Sequence, residues 1–216
     1  MDRSIRGHVR RSRTRSSETN ATPTRSCRTP EDPIRVRRPV FLDRDGVINE
    51  DSPAFVRSVD DWRPIPGSLE AIASLSRAGF DVVIVTNQSG IGRGLYDEAA
   101  LGRIHDGLIA SVRELGGDIR SILHCPHRAD EGCACRKPRP GLLVRAEREL
   151  GLRAKGAPIV GDRVSDLLAG AAMGCLPILV LTGEGERSLR ALEDREGIRI
   201  QADLARAARL ILSGGL

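Results

Sequence analysis

Two aspartates one residue apart, Asp43 and Asp45, follow the apolar run Val40-Phe41-Leu42 and precede Gly46. On a strand, residues i and i+2 face the same side. A strand persisting to Asp45 would therefore bring both carboxylates together and point Arg44 elsewhere. Like charges that close need a cation or a proton, and Gly46 lets the backbone leave into a turn. Alone, Asp-Arg-Asp-Gly reads equally as a solvated turn. Three further polar clusters change that balance, each at the end of a short apolar run: Thr86-Asn87-Gln88-Ser89-Gly90, His124-Cys125-Pro126-His127 and Gly161-Asp162-Arg163. Gathered in one crevice, Asp43, Asp45, Asp162 and Asp166 call for a divalent cation, and oxygen ligands favour Mg²⁺. A carboxylate can attack phosphorus and form an aspartyl-phosphate. Its neighbour can protonate the leaving alcohol and then deprotonate water. Thr86, the backbone N–H groups after it and Lys137 are the kind of donors an anionic phosphoryl group requires.

A second constellation is Cys125, His127, Cys133 and Cys135, three thiols and an imidazole within eleven residues. This set fits a closed tetrahedral Zn²⁺ site, structural because no coordination position stays open. Such a metal would place Arg136 and Lys137, which follow the last ligand directly. His124 is expected to pack or bond to backbone, Cys175 to be a small buried apolar residue, and His105 to lie on the exposed side of its helix.

The elements that must carry these groups alternate. Strands are expected at Val40–Asp43, Asp81–Val85, Ile119–His124, Ala157–Gly161 and Ile178–Thr182, with a short sixth at Ile198–Gln201. Helices are expected over 67–78, 97–115 (N-capped by Asp97), 140–150, 164–173 and from Asp203 to Leu212. The proline-containing stretch 50–66 reads as a loop packed down by Trp62. Alternation of this kind predicts an α/β fold with an open, mostly parallel sheet and helices on both faces. Ligands of such sheets bind beyond the carboxyl ends of the strands, where the polar clusters lie.

The net charge of +5 is unevenly spread. Residues 1–38 carry eleven Arg and four acids, whereas residues 39–216 carry 23 basic and 25 acidic side chains. The first segment, rich in Arg, Ser, Thr and Pro, is expected to be a disordered tail, because it offers too little apolar surface to offset its ordering entropy. A transit peptide or a misassigned start would share its composition. Residues 39–216 are expected to form one catalytic domain. Its net −2 charge and the chain's 2% aromatic content argue against a nucleic-acid partner. No apolar run of about 18 residues exists to span a membrane. Clustered cysteines suggest metal rather than disulfides, and a cytoplasmic location. No exposed apolar helix stands out, so a monomer is expected.

Phe41-Leu42-Asp43-Arg44-Asp45-Gly46-Val47, Thr86-Asn87-Gln88-Ser89-Gly90-Ile91-Gly92-Arg93-Gly94, Cys135-Arg136-Lys137-Pro138-Arg139-Pro140-Gly141 and Gly161-Asp162-Arg163-Val164-Ser165-Asp166 together resemble the four motifs of haloacid dehalogenase (HAD) superfamily phosphatases. More narrowly, Phe41 to Thr182 resembles the D,D-heptose 1,7-bisphosphate phosphatase and histidinol-phosphatase branch. That resemblance implies Asp43 as nucleophile and Mg²⁺ ligand. It implies Asp45 as general acid/base, with its backbone carbonyl on the metal, and Asp162 as the remaining Mg²⁺ ligand. Thr86 and Lys137 would hold the phosphoryl group, and Asn87 and Arg136 would contact substrate. Arg163 stands where relatives have Lys, and it and Asp166 read equally as a local ion pair at a helix start. The family also carries a structural zinc at the Cys125–Cys135 loop and has only short loops for a cap. Its first loop often has an aromatic where this chain has Ala54, with Phe55 beside it.

The resulting reading is a Mg²⁺-dependent phosphomonoesterase acting on a small phosphorylated metabolite, first of all the 7-phosphate of a heptose 1,7-bisphosphate. Histidinol phosphate and a polynucleotide 3′-phosphate are the rival substrates. The rival outside enzymology is a zinc-stabilised binding module with a basic tail. In the enzyme reading Asp43 stays ionised against Mg²⁺, while Asp45 must be able to hold a proton.

Overall fold

The computed structural model describes residues 38–216. Residues 1–37 of the expected disordered tail, Cys27 among them, lie outside the described residues, and its last residue, Arg38, opens a strand. Six strands form one parallel sheet: β1 (Arg38–Leu42), β2 (Phe80–Asn87), β3 (Ser121–Cys125), β4 (Pro158–Gly161), β5 (Leu176–Val180) and β6 (Arg199–Gln201). Their order is β3-β2-β1-β4-β5-β6. The helices are α1 (Ser68–Arg77), α2 (Glu98–Glu114), α3 (Gly141–Leu150), α4 (Val164–Ala171), α5 (Gly185–Ala191) and α6 (Leu204–Leu212).

The strands are apolar at consecutive positions because both faces of the sheet are covered. Val40, Leu42, Val82 and Ile84 pack on one side with Ile72 and Leu75 of α1, Leu108 and Val112 of α2 and Ala207 and Ile211 of α6. Phe41, Val83 and Val85, the alternate residues, pack on the other side with Leu142, Leu143 and Ala146 of α3 and Ala169 of α4. Helix ends follow local chemistry. The Asp97 carboxylate accepts from the Ala100 amide at 2.7 Å, and Asp203 does the same for Arg206. Gly151 closes α3 with a φ of 64°.

From β1 the chain winds outward through β2 and β3, then returns to β4 on the other side of β1 and continues to β5 and β6. The direction of winding therefore reverses beside β1. Asp43 follows β1 at that reversal, between the ends of β2 and β4, where a crevice opens in sheets of this kind.

Most element boundaries shift by one or two residues from expectation, and two of the shifts bear on the site. β1 ends at Leu42: the Asp43 amide still donates to Val160 O at 2.9 Å, but then the amides of Val47, Ile48 and Asn49 all donate to Arg44 O. A turn, not strand alternation, therefore sets the relation of Asp43 to Asp45. β5 lies two residues earlier than expected, because Thr182 has left the sheet to donate its hydroxyl to Gly46 O at 2.6 Å. α5, with sequence Gly-Glu-Arg-Ser-Leu-Arg-Ala, lacked the apolar stripe by which a helix is recognised.

The excursion after β1 is pinned at its base. Glu50 N donates to Arg63 O at 2.9 Å and Ile65 N to Ile48 O at 2.9 Å. Trp62 packs against the core beneath it. Among the described residues, no helix is long and apolar enough to cross a membrane.

Candidate active site

A cavity of about 1190 Å³ lies at the carboxyl ends of the strands, and Asp43, Asp45, Thr86, Asn87, Arg136, Lys137 and Arg163 all line it. Asp162 sits behind them, fully buried.

Lys137 is the hub. Its Nζ donates to Val85 O at 2.7 Å and lies 2.8 Å from Asp43 Oδ1 and 2.7 Å from Asp166 Oδ1. Burial alone would lower its pKa, but the Asp166 and Asp43 carboxylates more than offset that and hold it above the ordinary Lys value. Asn87 holds the Lys137 peptide reciprocally. Its Nδ2 donates to Lys137 O and its Oδ1 accepts from Lys137 N, both at 3.1 Å. The Asn87 amide is thus committed to placing Lys137. Asp166 is more than a helix-start ion pair: besides binding Lys137, its Oδ2 accepts from Arg163 N at 3.0 Å and caps α4.

Asp43 Oδ1 also accepts from the Arg44 amide at 2.8 Å. Burial pushes Asp43 up to about 6 against the pull of Lys137, with Asp166 and Asp45 adding to the rise. Asp162 is pushed to about 8 by burial and by the Asp43 and Asp166 charges. Its Oδ2 accepts from Glu184 N at 2.8 Å, while its Oδ1 is buried without a partner. Gly46 and Gly183 pave this carboxylate: a Cβ at either would lie 2.1 Å or 2.3 Å from Asp162 Oδ2. Oxygens of Asp43, Asp162 and Asp166 converge within 4.8 Å. Several buried carboxylates, one oxygen unpartnered, with Lys137 the ammonium among them, make a donor set that fits a hard divalent cation.

Asp45 is differently placed from the expectation. Arg44 does not point away; it is 1% exposed and folds back onto Asp45. Arg44 Nε and Nη2 donate to Asp45 Oδ1 at 3.1 Å and 2.8 Å, and Nη2 also reaches Oδ2 at 2.9 Å. Asn49 Nδ2 adds a bond to Oδ1 at 2.9 Å and Gln88 Nε2 one to Oδ2 at 2.8 Å. Burial opposes ionisation, yet Arg44, Asn49 and Gln88 together hold the carboxyl below its ordinary pKa. Without a cation, Asp45 is the one held ionised and Asp43 the one raised; the expectation that Asp43 stays ionised concerns the Mg²⁺-bound site. Arg44 in turn lies 3.4 Å from His105 Nε2. His105 is buried, not exposed as expected, and burial with Arg44 pushes it down to about 3, so it faces the guanidinium as a neutral ring. His124, beside it, is 2.9 Å from the Glu98 carboxylate instead of bonding to backbone. Cys175 is buried as expected.

The second constellation also closes. Cys125, Cys133 and Cys135 place their sulfurs 3.2–3.6 Å apart, and His127 Nδ1 lies 3.5 Å from Cys125 Sγ and 3.3 Å from Cys135 Sγ. Tetrahedral Zn–S bonds of ~2.3 Å would place sulfurs roughly 3.8 Å apart, whereas a disulfide needs about 2.05 Å. Geometry and donor chemistry both fit Zn²⁺. Arg136 leaves this cluster with its Nη1 3.2 Å from His127 O, and Lys137 follows.

Comparisons with known proteins agree with the geometry. Residues 134–207 match the HAD-hydrolase-like family model and residues 41–166 match the polynucleotide kinase 3 phosphatase model. A D-glycero-beta-D-manno-heptose-1,7-bisphosphate 7-phosphatase from Bordetella bronchiseptica is 48% identical, over 80% of this chain and 97% of its own length. The chain belongs to the HAD-like D,D-heptose 1,7-bisphosphate phosphatase family. A second family member, from Pseudomonas aeruginosa, has the same identity and coverage. Among solved structures of the family, the B. bronchiseptica phosphatase complexed with magnesium and phosphate superposes with a TM-score of 0.79 at 47% identity, covering 82% of this chain and 99% of that one. The Burkholderia thailandensis member gives 0.65 at 42% identity, with the same coverage.

Sequence reasoning did not single out Arg44, Gln88, Tyr96 or His105. Gln88 stood inside a quoted motif, but nothing in spacing announced that its amide bridges Thr86 and Asp45. Tyr96, in the loop before α2, carries no periodic signal at all.

Proposed function

We propose that this protein is a Mg²⁺-dependent phosphomonoesterase that removes the 7-phosphate of D-glycero-D-manno-heptose 1,7-bisphosphate. The observation that carries this reading is the convergence of Asp43, Asp45, Thr86, Lys137 and Asp162 at one cavity, in a chain that spans nearly the full length of relatives named for that activity.

The geometry supports the following roles. Lys137 and the Arg44 amide fix Asp43 Oδ1, so the carboxylate is aimed before substrate arrives. Asp43 attacks phosphorus, the bond from phosphorus to the sugar oxygen breaks, and that oxygen takes a proton from Asp45. Asp45 then takes a proton from water, the water oxygen attacks phosphorus, and Asp43 is released with inorganic phosphate. To act as acid, Asp45, which is held ionised here, first has to take up a proton from solvent, giving up one of its present donors; the leaving oxygen then takes that donor's place. Thr86 and Lys137 bear on the transferring phosphoryl group. Arg136 and Arg163 line the wider part of the cavity, where they suit the rest of an anionic sugar phosphate. Asp43, Asp162 and the Asp45 carbonyl would hold Mg²⁺, which would supply positive charge for the phosphoryl oxygens. Cys125, His127, Cys133 and Cys135 would hold a structural Zn²⁺, which would anchor the segment that delivers Arg136 and Lys137.

A phosphate-release screen tests the substrate, comparing heptose 1,7-bisphosphate, histidinol phosphate and a 3′-phosphorylated oligonucleotide. The bisphosphate is expected to give the highest kcat/KM; preference for either competitor overturns the assignment. Asp43→Asn is expected to abolish turnover with the fold intact, and retained turnover would remove Asp43 as nucleophile.

A further inference from the structure

We propose that Tyr96 is a positioning residue for this reaction, acting through the Gln88 amide to fix Asp45 and Thr86 together. The inference rests on the phosphatase reading above and adds a residue outside the motifs that carry it.

The Gln88 side chain is saturated. Its Nε2 donates to Asp45 Oδ2 and to Thr86 Oγ1, both at 2.8 Å. Its Oε1 accepts from Tyr96 Oη at 2.7 Å and from Arg44 Nη2 at 3.2 Å. A carboxamide has two donor hydrogens and one acceptor oxygen, so all three groups are used. The planar amide consequently bridges the proton-transfer group and the phosphoryl-binding hydroxyl. Because Thr86 Oγ1 accepts from Gln88, its own hydrogen is left to donate into the cavity. Reversing the amide would set a carbonyl oxygen against the Asp45 carboxylate and leave Thr86 to spend its hydrogen on Gln88. Tyr96 opposes that reversal by placing an O–H donor at the oxygen end.

Tyr96 is itself seated. A Cβ at Gly90 would lie 2.1 Å from Tyr96 Cε1 and 2.7 Å from Cζ, so the ring occupies the space a side chain there would need. Leu95 N donates to Gly90 O at 2.9 Å and closes the loop just before the tyrosine. Asp97 caps α2 just after it. Burial pushes the phenol up to about 12, so it remains a donor throughout the neutral range.

The test exploits leaving-group chemistry. An alkoxide must be protonated as it departs, whereas p-nitrophenolate leaves without help, so misplacing Asp45 penalises one substrate and spares the other. Tyr96→Phe is expected to lower kcat/KM for the heptose bisphosphate about 10-fold, short of the ~10²–10⁴-fold cost of losing a general acid outright. In the same variant, kcat/KM for p-nitrophenyl phosphate is expected to fall by no more than about 2-fold, the share that a loosened Thr86 hydroxyl takes from both substrates alike. That ratio does not include the later attack of water, which Asp45 assists for both substrates. Gly90→Ala, which keeps the hydroxyl but evicts the ring, is expected to show the same asymmetry. Thermal melting of both variants checks the fold. An equal loss on both substrates, or none on the bisphosphate, overturns the inference. A wild-type enzyme that hydrolyses neither substrate overturns the phosphatase reading and the inference with it.

Discussion

Lys137 Nζ lies 2.8 Å from Asp43 Oδ1, and that contact, joining the loop after β1 to the segment after the cysteine cluster, holds the proposed nucleophile in place. The same ammonium serves Asp166 at 2.7 Å, so removing it leaves two buried carboxylates without their counter-charge. Breaking one side of a buried, hydrogen-bonded ion pair costs about 3–5 kcal/mol. Lys137→Met is expected to lower unfolding free energy by roughly that amount in urea titrations and to eliminate turnover. A variant with unchanged stability would show that the three charges do not depend on one another.

The fold was legible in the sequence to within a few residues, because buried parallel strands write continuous apolar runs and amphipathic helices write a 3.6-residue period. The positions of Asp43, Thr86, Lys137 and Asp162 were legible for the same reason: each follows a recognisable strand or the cysteine cluster. What stayed hidden was side-chain direction inside turns. The turn around Arg44 O sends the Arg44 guanidinium back onto Asp45, and no periodicity encodes that. Nor could the sequence show that His105, on the apolar-polar boundary of α2, faces Arg44 across the chain.

Acidity separates the two metal-seeking carboxylates from the rest of the site. In Mg²⁺-free protein, Asp43 is raised to about 6 and Asp162 to about 8. The native state therefore binds more protons than the unfolded chain between about pH 4 and pH 8, and stability falls as pH rises through that window. Asp45, which is depressed, contributes stability that is lost only as pH falls below the ordinary carboxylate range. Lys137, which is raised, contributes stability lost only above the ordinary Lys range. Neither acts inside the window, but His105 does: held down to about 3, it is protonated only in the unfolded chain up to the ordinary His range. That offsets part of the decline without reversing it, because two carboxylates are raised against one lowered imidazole. Thermal midpoints in Mg²⁺-free buffer are expected to decline from pH 5 to pH 8, and saturating Mg²⁺ is expected to flatten that decline. Midpoints that rise with pH, or a decline that Mg²⁺ leaves untouched, would show that these carboxylates are not the cation's ligands.

Cys135 is followed at once by Arg136 and Lys137, so the Cys/His cluster and the ammonium proposed to hold the phosphoryl group share one short segment. Metal analysis is expected to find about one zinc per chain, because the four donors form a single closed set. Cys133→Ser is expected to lose that zinc and most activity, with added Mg²⁺ failing to restore turnover. Acidification is expected to release the zinc as thiolates and imidazole take up protons. Full activity in a zinc-free variant would separate the cluster from the site.

Arg163, at the start of α4, meets Asp51 on the excursion after β1, with Nη2 2.5 Å from Oδ2. Both line the cavity, and Phe55 on the same excursion holds a φ of 64° that non-glycine residues rarely adopt. The guanidinium is 48% exposed, so the pair is worth at most about 1 kcal/mol and Asp51→Ala should barely change stability. Its consequence lies in binding. A substrate with a second phosphate competes with Asp51 for Arg163, and a charge-assisted hydrogen bond of about 1.5 kcal/mol corresponds to roughly a tenfold change in KM. Arg163→Ala is expected to raise KM for the bisphosphate by about that factor, with kcat within about 2-fold. Asp51→Ala, which frees the guanidinium, is expected to lower it. A monophosphate lacking the second group should show neither change. Equal shifts for the two substrates would assign Arg163 to the transferring phosphoryl group instead of to the remainder of the substrate.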